Sequence, residues 1–480
     1  MTDRRAEGGE GEKTRDMSAG RRRHRPAAHE IERYAGLFAS RVRGMQSSAM
    51  RDLMALTERP EVISLAGGLP DTSTFPPESF AKIMSRVAAE SCAAALQYGP
   101  TEGMAKVKEV IRQVMAFEGT EVDEDEILVT TGGQQVIDLV CKTLLDPGDV
   151  VVAEAPTYPG AIPSFCAYEA DVVQIAMDSD GMQIDVLEET LDRLESEGRK
   201  PKFIYTIPNF HNPGGVTMSL PRRKRLVEVA AEREIIVLED NPYGLLRYEG
   251  EPLPTLLSLA GDAPYIIYLG TFSKILSAGL RLGWAVAPSP VLAKMNLGKQ
   301  GADLCSSSLT QHFVAAYFAE GRWESYLESL KELYKRRRDV MLQALEDHFP
   351  AEATWTRPEG GLFLWATLPE PIDTTDLLAR ALQHDVAFVP GRGAYLDGRG
   401  AQSMRLNFSG VTEEEIREGV RRIGKVVAEQ LELFGAITGG RPVSRPESAE
   451  EGQDGGVTMA DVLPLPRGKR DDARRSQGAS

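Results

Sequence analysis

Lys274 closes the run GTFSK, directly after the apolar segment YIIYLG at 265–270. Thr271 and Ser273 flank it, and Arg281 follows seven residues later, just before GWAVAP at 283–288. An amine there can trap a carbonyl as a Schiff base, with hydroxyls and a cation at hand for an anion. Three other apolar runs end in comparable residues. IIVLED (235–240) ends at Asp240, with Tyr243 three residues on. KFIYTIP (202–208) runs into NFHNPGG, which offers Asn212 in a loop stiffened by proline and glycine. ILVT (127–130) runs into TGGQQ, whose Gly132 and Gly133 let backbone N–H groups approach an anion where a helix begins. Each feature alone has an ordinary reading: a surface lysine, a turn cap, an Asn-Pro turn, a tight Gly-Gly bend. Together they form the set that pyridoxal 5′-phosphate requires. That cofactor needs an amine for its aldehyde, a carboxylate for its pyridinium, donors for its ring oxygen, and hydroxyls, amides and a cation for its phosphate.

The elements that must position these residues are short β-branched runs separated by helical stretches of 10–15 residues. VVVAEAP (150–156) and DVVQIAM (171–177) extend the series. The alternation predicts a mostly parallel sheet covered by helices on both faces, an α/β fold, with ligands beyond the carboxyl ends of the strands. After residue 290 the pattern changes. Helical periodicity over 309–347 leads into LFLWATL, VAFVPG, SMRLNFS and an amphipathic stretch at 412–435, which reads as a smaller α+β domain.

The chain has 480 residues and a net charge of −16. Residues 1–26 carry eight basic and five acidic side chains, residues 440–480 seven of each, and residues 27–439 a balance of −19. So acidic a middle argues against nucleic acid as a partner. The Arg21, Arg22, Arg23, Arg25 cluster reads as part of a solvated leader. Cys92, Cys141, Cys166 and Cys305 are scattered, which excludes a disulfide framework or Cys-x-x-Cys zinc site and fits free thiols in the cytoplasm. No metal site is expected. No apolar run is long enough to span a membrane, and the N-terminus has no apolar signal core.

From about Ser47 to Ala428 the sequence resembles the class I/II, fold-type I aminotransferases, and within them the 2-aminoadipate and kynurenine aminotransferase group. ISLAGGLPDTSTFP, LQYGPTEG, TTGGQQ, EAPTYPGA, IPNFHNPGG, EDNPYG, GTFSKILSAGLRLGW, GKQGADL and MRLNFS carry the resemblance, in the group's order. It implies a transaminase with this organisation: a disordered leader (1–30), an N-terminal arm and helix (31–75), a large cofactor-binding domain (76–335), a small C-terminal α+β domain (336–436) and a disordered tail (437–480).

By position, the resemblance makes Lys274 the residue that bonds the cofactor and shuttles the substrate proton. Asp240 would pair with the pyridinium nitrogen. Asn212 and Tyr243 would bond the ring oxygen, and Tyr158 would stack on the ring. Gly133, Gln134, Thr271, Ser273 and Arg281 would hold the phosphate; relatives often carry serine where this chain has Gly133, so one hydroxyl is lost there. Tyr98 would reach the cofactor of a second subunit, which implies a homodimer with shared active sites. Arg405 would grip the substrate α-carboxylate with its planar fork, aided by the Gly68 backbone and Asn212.

Ser48 and Arg51, in SSAMRDLM, fall where aminoadipate-type relatives bind a distal carboxylate. The expected substrates are glutamate and 2-oxoglutarate as one pair, with 2-aminoadipate, an aromatic or a branched-chain amino acid in the other. A β-lyase or decarboxylase on the same scaffold would use the same cofactor residues. An aminotransferase-like transcriptional regulator would need a DNA-binding domain, for which about 45 leading residues leave too little room.

Overall fold

The computed structural model describes Tyr34, residues 36–45 and residues 59–438. Residues 36–45 contain a short 3₁₀ turn, Ser40–Gly44. Within residues 59–438 the strands are β1 (Ile63–Ser64), β2 (Ile127–Thr130), β3 (Val150–Ala155), β4 (Asp171–Asp178), β5 (Gly181–Met182), β6 (Pro201–Thr206), β7 (Ile236–Asp240), β8 (Ile266–Thr271), β9 (Gly283–Val286), β10 (Thr354–Trp355), β11 (Phe363–Thr367), β12 (Val386–Ala387), β13 (Val389–Pro390) and β14 (Ser403–Asn407).

Eight of them form one sheet, in the order β2-β9-β8-β7-β6-β3-β4-β5. β8, β7, β6, β3 and β4 run parallel, β9 is antiparallel to both neighbours, and β5 is an antiparallel edge strand. Alternate residues along each strand feed two cores. Val150, Val152, Val173, Ile175, Ile204, Val237 and Ile266 pack with the inner faces of the helices Ile184–Ser196 and Leu220–Arg233. Val151, Ala153, Val172, Phe203, Leu238 and Ile267 pack on the opposite face, with Val136, Ile137 and Val140 of the helix Gly133–Leu144. Both faces are therefore covered, which is why the strands read as unbroken apolar runs.

β3 connects to β4 on one side, while β6, β7 and β8 step away on the other. The topological reversal lies between β3 and β6, and the crevice it opens is where such sheets bind ligands.

The C-terminal part carries a second, antiparallel sheet, β10-β11-β14-β13. The helix Trp323–His348 runs across position 335 and packs against the final helix, Glu413–Thr438. β1 pairs in parallel with β12, so the segment after β1 lies alongside the second sheet. Among the described residues no helix is long and apolar enough to cross a membrane, and all four cysteines are free.

Candidate active site

Parallel β6, β7 and β8 end on one edge of the large sheet, and their termini put Asn212, Asp240 and Thr271–Lys274 around a half-open cavity of about 330 Å³. β3 leads to Tyr158, the helix after β2 brings Gly133 and Gln134, and β14 brings Arg405 from the second sheet. Gly68, on the segment after β1, and Arg281 complete the wall. Of the residues singled out from the sequence, the cavity gathers Gly68, Gly133, Gln134, Tyr158, Asn212, Asp240, Tyr243, Thr271, Ser273, Lys274, Arg281 and Arg405. Tyr98 is not among them; its side chain stands 77 % exposed on the surface of this single chain. Ser48 and Arg51 lie outside the described residues.

Lys274 Nζ donates to the Gly68 carbonyl at 2.6 Å. Burial, then the charges of Arg405 and Arg281, push its amine down to about 8. Asp240 has the opposite problem. Burial drives its carboxyl up to about 7, against a 2.6 Å bond from the Tyr205 hydroxyl to Oδ2 that favours the anion. Glu154 adds to the rise and His211 opposes it. Those two form a buried pair behind the cavity, His211 Nε2 lying 3.2 Å from Glu154 Oε2. Burial and the nearby Asp240 also push the Tyr158 hydroxyl up, so it stays protonated.

Arg405 sits at the centre of β14. Its Nη1 donates to Asn212 Oδ1 at 2.9 Å, and its Nη2 donates to the carbonyls of Ala66 and Gly67 at 2.8 and 3.0 Å. Its guanidinium carbon lies 4.3 Å from the centre of the Phe363 ring, a cation–π contact. Burial lowers it to about 10, so it remains a cation at neutral pH, held through these three bonds by neutral acceptors. Asn212 Nδ2 donates in turn to the Tyr243 hydroxyl at 3.5 Å.

The anion side is built on the start of the helix Gly133–Leu144. Gly132 caps it at φ +79°, a left-handed conformation that suits glycine, and a side chain there would collide with the Arg281 guanidinium. At Gly133 a Cβ would stand 2.9 Å from Leu269 Cδ2, so the serine of relatives would require that leucine to move. The Thr271 hydroxyl donates to Ser273 Oγ at 2.8 Å, and both are buried beside Lys274. The Gln134 side chain turns away to the Gly160 carbonyl and Ser164 Oγ, both at 2.9 Å.

The sequence reading missed Tyr205, Phe363, Leu69 and the carbonyls of Ala66 and Gly67. Tyr205 carries no signal of its own in the sequence: only the register, which pairs it with Leu238, puts Asp240 diagonally across on the same face. Among the described residues no group of His, Cys, Asp and Glu is arranged to hold a metal ion.

A mostly parallel sheet covered on both faces, a small antiparallel sheet, and a lysine, a buried aspartate and two arginines converging at the strand ends define an enzyme of the fold-type I class. The family model for aminotransferase class I and II matches residues 60–423, and the chain belongs to that family; it is a transaminase. It is 44 % identical over 399 residues to aromatic-amino-acid aminotransferase 1 of Thermococcus litoralis, covering 83 % of this chain and 95 % of that one. It is 41 % identical to the 2-aminoadipate transaminase of Thermus thermophilus, covering 81 % and 96 %. The crystal structure of Pyrococcus horikoshii kynurenine aminotransferase, in complex with PMP, superposes with a TM-score of 0.79 at 42 % identity, covering 84 % of this chain and 98 % of that one.

Proposed function

We propose that the cavity holds pyridoxal 5′-phosphate and exchanges an amino group between L-amino acids and 2-oxo acids, with glutamate and 2-oxoglutarate as one pair. The observation that carries this reading is the convergence of Lys274, Asp240, Arg281 and Arg405 in one cavity. The donor set fits the cofactor. Asp240, driven up by burial, is a carboxylate short of a cationic partner, which a pyridinium supplies. Helix-start amides beside Arg281, with Thr271 and Ser273 near, suit a phosphate. When bound, the cofactor supplies an electron sink for charge developing at the substrate Cα.

The protein's own residues do the rest. Lys274 anchors the cofactor and, once displaced, takes the proton from the substrate Cα and returns it. Its depressed basicity leaves about a tenth of the amine neutral at pH 7. Asp240 keeps the pyridinium charged. Asn212 and Tyr243 bond the ring oxygen, and Tyr158 covers the ring face. Gly133, Gln134, Thr271, Ser273 and Arg281 hold the phosphate. Arg405 exchanges neutral partners for the substrate α-carboxylate, a stronger charge-assisted pair, close to Gly68.

Two chains are proposed to form a homodimer, with Tyr98 entering the partner's site; the exposure of neighbouring Leu96 and Tyr98, 72 % and 77 %, supports an interface there. The free cysteines support a cytoplasmic setting.

The second substrate pair is proposed to be 2-aminoadipate, an aromatic or a branched-chain amino acid. The activities of the two relatives named above support the first two, and the apolar wall formed by Leu69 and Phe363 supports an uncharged side chain. The test mixes the purified holoenzyme with glutamate and follows the cofactor absorbance, then runs a panel of donors against 2-oxoglutarate and pyruvate. A spectrum that glutamate leaves unchanged overturns the assignment of that pair. Arg51→Ala is expected to slow acidic donors selectively; equal losses for leucine and glutamate overturn the role of Arg51.

A further inference from the structure

GKQGADL (298–304) is a motif for which the cavity gives no role, because neither Lys299 nor Asp303 lines it. Both belong to a polar cluster directly behind the turn that opens the helix Gly133–Leu144. Lys299 is fully buried, and its Nζ donates to Asp303 Oδ1 and Oδ2 at 2.7 and 2.9 Å, to Gln135 Oε1 at 3.2 Å and to Ser306 Oγ at 3.1 Å. Asp303 Oδ2 also accepts from the Thr131 hydroxyl at 2.7 Å and from Gln135 Nε2 at 2.8 Å. Gln135 Oε1 accepts the Thr131 backbone N–H at 2.7 Å. Thr131 is thus fixed through its amide and its hydroxyl, and its carbonyl faces Arg281 Nη2 at 3.5 Å.

Burial works against the Asp303 anion, but the bonds from Lys299, Thr131 and Gln135 outweigh it and hold the carboxyl below its usual range. The Lys299 cation cancels that charge, so the cluster adds no net negative charge behind an anion site.

We propose that Lys299 and Asp303 are positioning residues that lock Thr131, and through it the Gly132–Gly133 amides and Arg281, in the arrangement that receives the cofactor phosphate. This rests on the reading that the cavity takes pyridoxal 5′-phosphate with its phosphate at the helix start. Thr131 carries the constraint: its hydroxyl is hydrogen-bonded to the Asp303 carboxylate and its peptide bond leads directly into Gly132.

The experiment removes the cofactor and titrates the protein with pyridoxal 5′-phosphate and, separately, with phosphate-free pyridoxal, reading absorbance. Thr131→Val removes the hydroxyl at nearly constant shape, Thr131→Ser restores it, Asp303→Asn removes the acceptor charge, and Arg281→Ala serves as the phosphate-side reference. Thr131→Val and Asp303→Asn are expected to bind the phosphate ester about tenfold more weakly, the low end for groups that orient a ligand's direct contacts, with pyridoxal unchanged. Thr131→Ser is expected to match the unaltered protein. If Asp303→Asn fails to fold, the two Thr131 variants decide alone. Unchanged affinity in Thr131→Val, or an equal loss for both ligands, overturns the proposal while Arg281→Ala still reports a phosphate site. An unaltered protein with no preference for the phosphate ester overturns the underlying reading, and this proposal with it.

Discussion

Tyr205→Phe isolates the control of the Asp240 charge. Tyr205 is 1 % exposed and its ring meets Phe165 edge-on at 5.5 Å, so phenylalanine keeps the packing and removes only the hydroxyl. That hydroxyl makes the 2.6 Å bond to Asp240 Oδ2, and burial keeps it protonated as a donor. A hydrogen bond to a charged acceptor contributes about 1.5–3 kcal/mol. At about 1.4 kcal/mol per pH unit, its loss moves the carboxyl up by about one to two units. Asp240, now near 7, is then expected to titrate near 8 to 9, since the missing bond favoured the anion. At neutral pH the carboxyl would pass from about half ionised to about a tenth or less. The assay is an infrared pH titration of the cofactor-free protein, following the carboxylic-acid stretch. Asp240→Asn identifies the Asp240 band, a control that is needed because burial also pushes Glu239 up to about 7 and raises Glu118. In the holoenzyme the acid limb of kcat/KM is expected to move to higher pH in the same variant. An Asp240 midpoint that stays put or falls in Tyr205→Phe refutes the reasoning.

Lys274→Ala is expected to abolish turnover while cofactor still binds, lacking the lysine-linked absorbance; retained transamination would refute its role. In cofactor-free protein, the Lys274 amine is expected to react with an amine-directed reagent with a midpoint near pH 8, because burial and two arginines favour its neutral form, which predominates above that pH. A midpoint near the ordinary lysine value would show that these forces are absent. Arg405→Lys is expected to raise KM for every amino donor by about tenfold or more, because an ammonium cannot reproduce the fork that spans Asn212, Ala66 and Gly67; steady-state kinetics with two chemically different donors check this.

The strands that carry the chemistry were legible because they are buried on both faces. ILVT was expected at 127–130 and is β2 at those residues; IIVLED was expected at 235–240 and β7 spans Ile236–Asp240. The reactive residues follow such runs directly, so Asp240 and Lys274 could be placed at strand ends without any tertiary information. Tyr205 could not be assigned so simply. It looks like one more apolar strand residue until the register of β6 against β7 sets it diagonal to Asp240. Phe363 gains meaning only when β11 and β14 bring it under Arg405, and the carbonyls of Ala66 and Gly67 carry no side-chain signal at all. β1 and β12 have two residues each, too few for any alternation to show, yet their pairing sets the Ala66–Gly68 segment beside β14. Gly133 was legible as part of an anion turn, but that a serine there would require the Leu269 side chain on β8 to move is something no local pattern reveals.

The charge of the chain gives the wrong sign for its ligands. Residues 27–439 carry a balance of −19, yet the proposed substrate and cofactor are both anionic. The contradiction disappears at the scale of the cavity. Exposed carboxylates act over about 8 Å at physiological ionic strength before salt screens them. Lys274, Arg281 and Arg405 line one cavity, and the two arginines help push the buried Lys274 amine down to about 8. Asp240 is the carboxylate among the lining residues, and its own burial favours the protonated form. Cationic side chains therefore outnumber carboxylates around the cavity. A phosphate near Arg281 and a carboxylate at Arg405 would pair with those cations at two separate points, and a cationic ring nitrogen at Asp240 would pair with the carboxylate at a third. A ligand carrying these three charges in that spacing is favoured by the cavity against the field of the whole chain, and a simple anion satisfies only part of it.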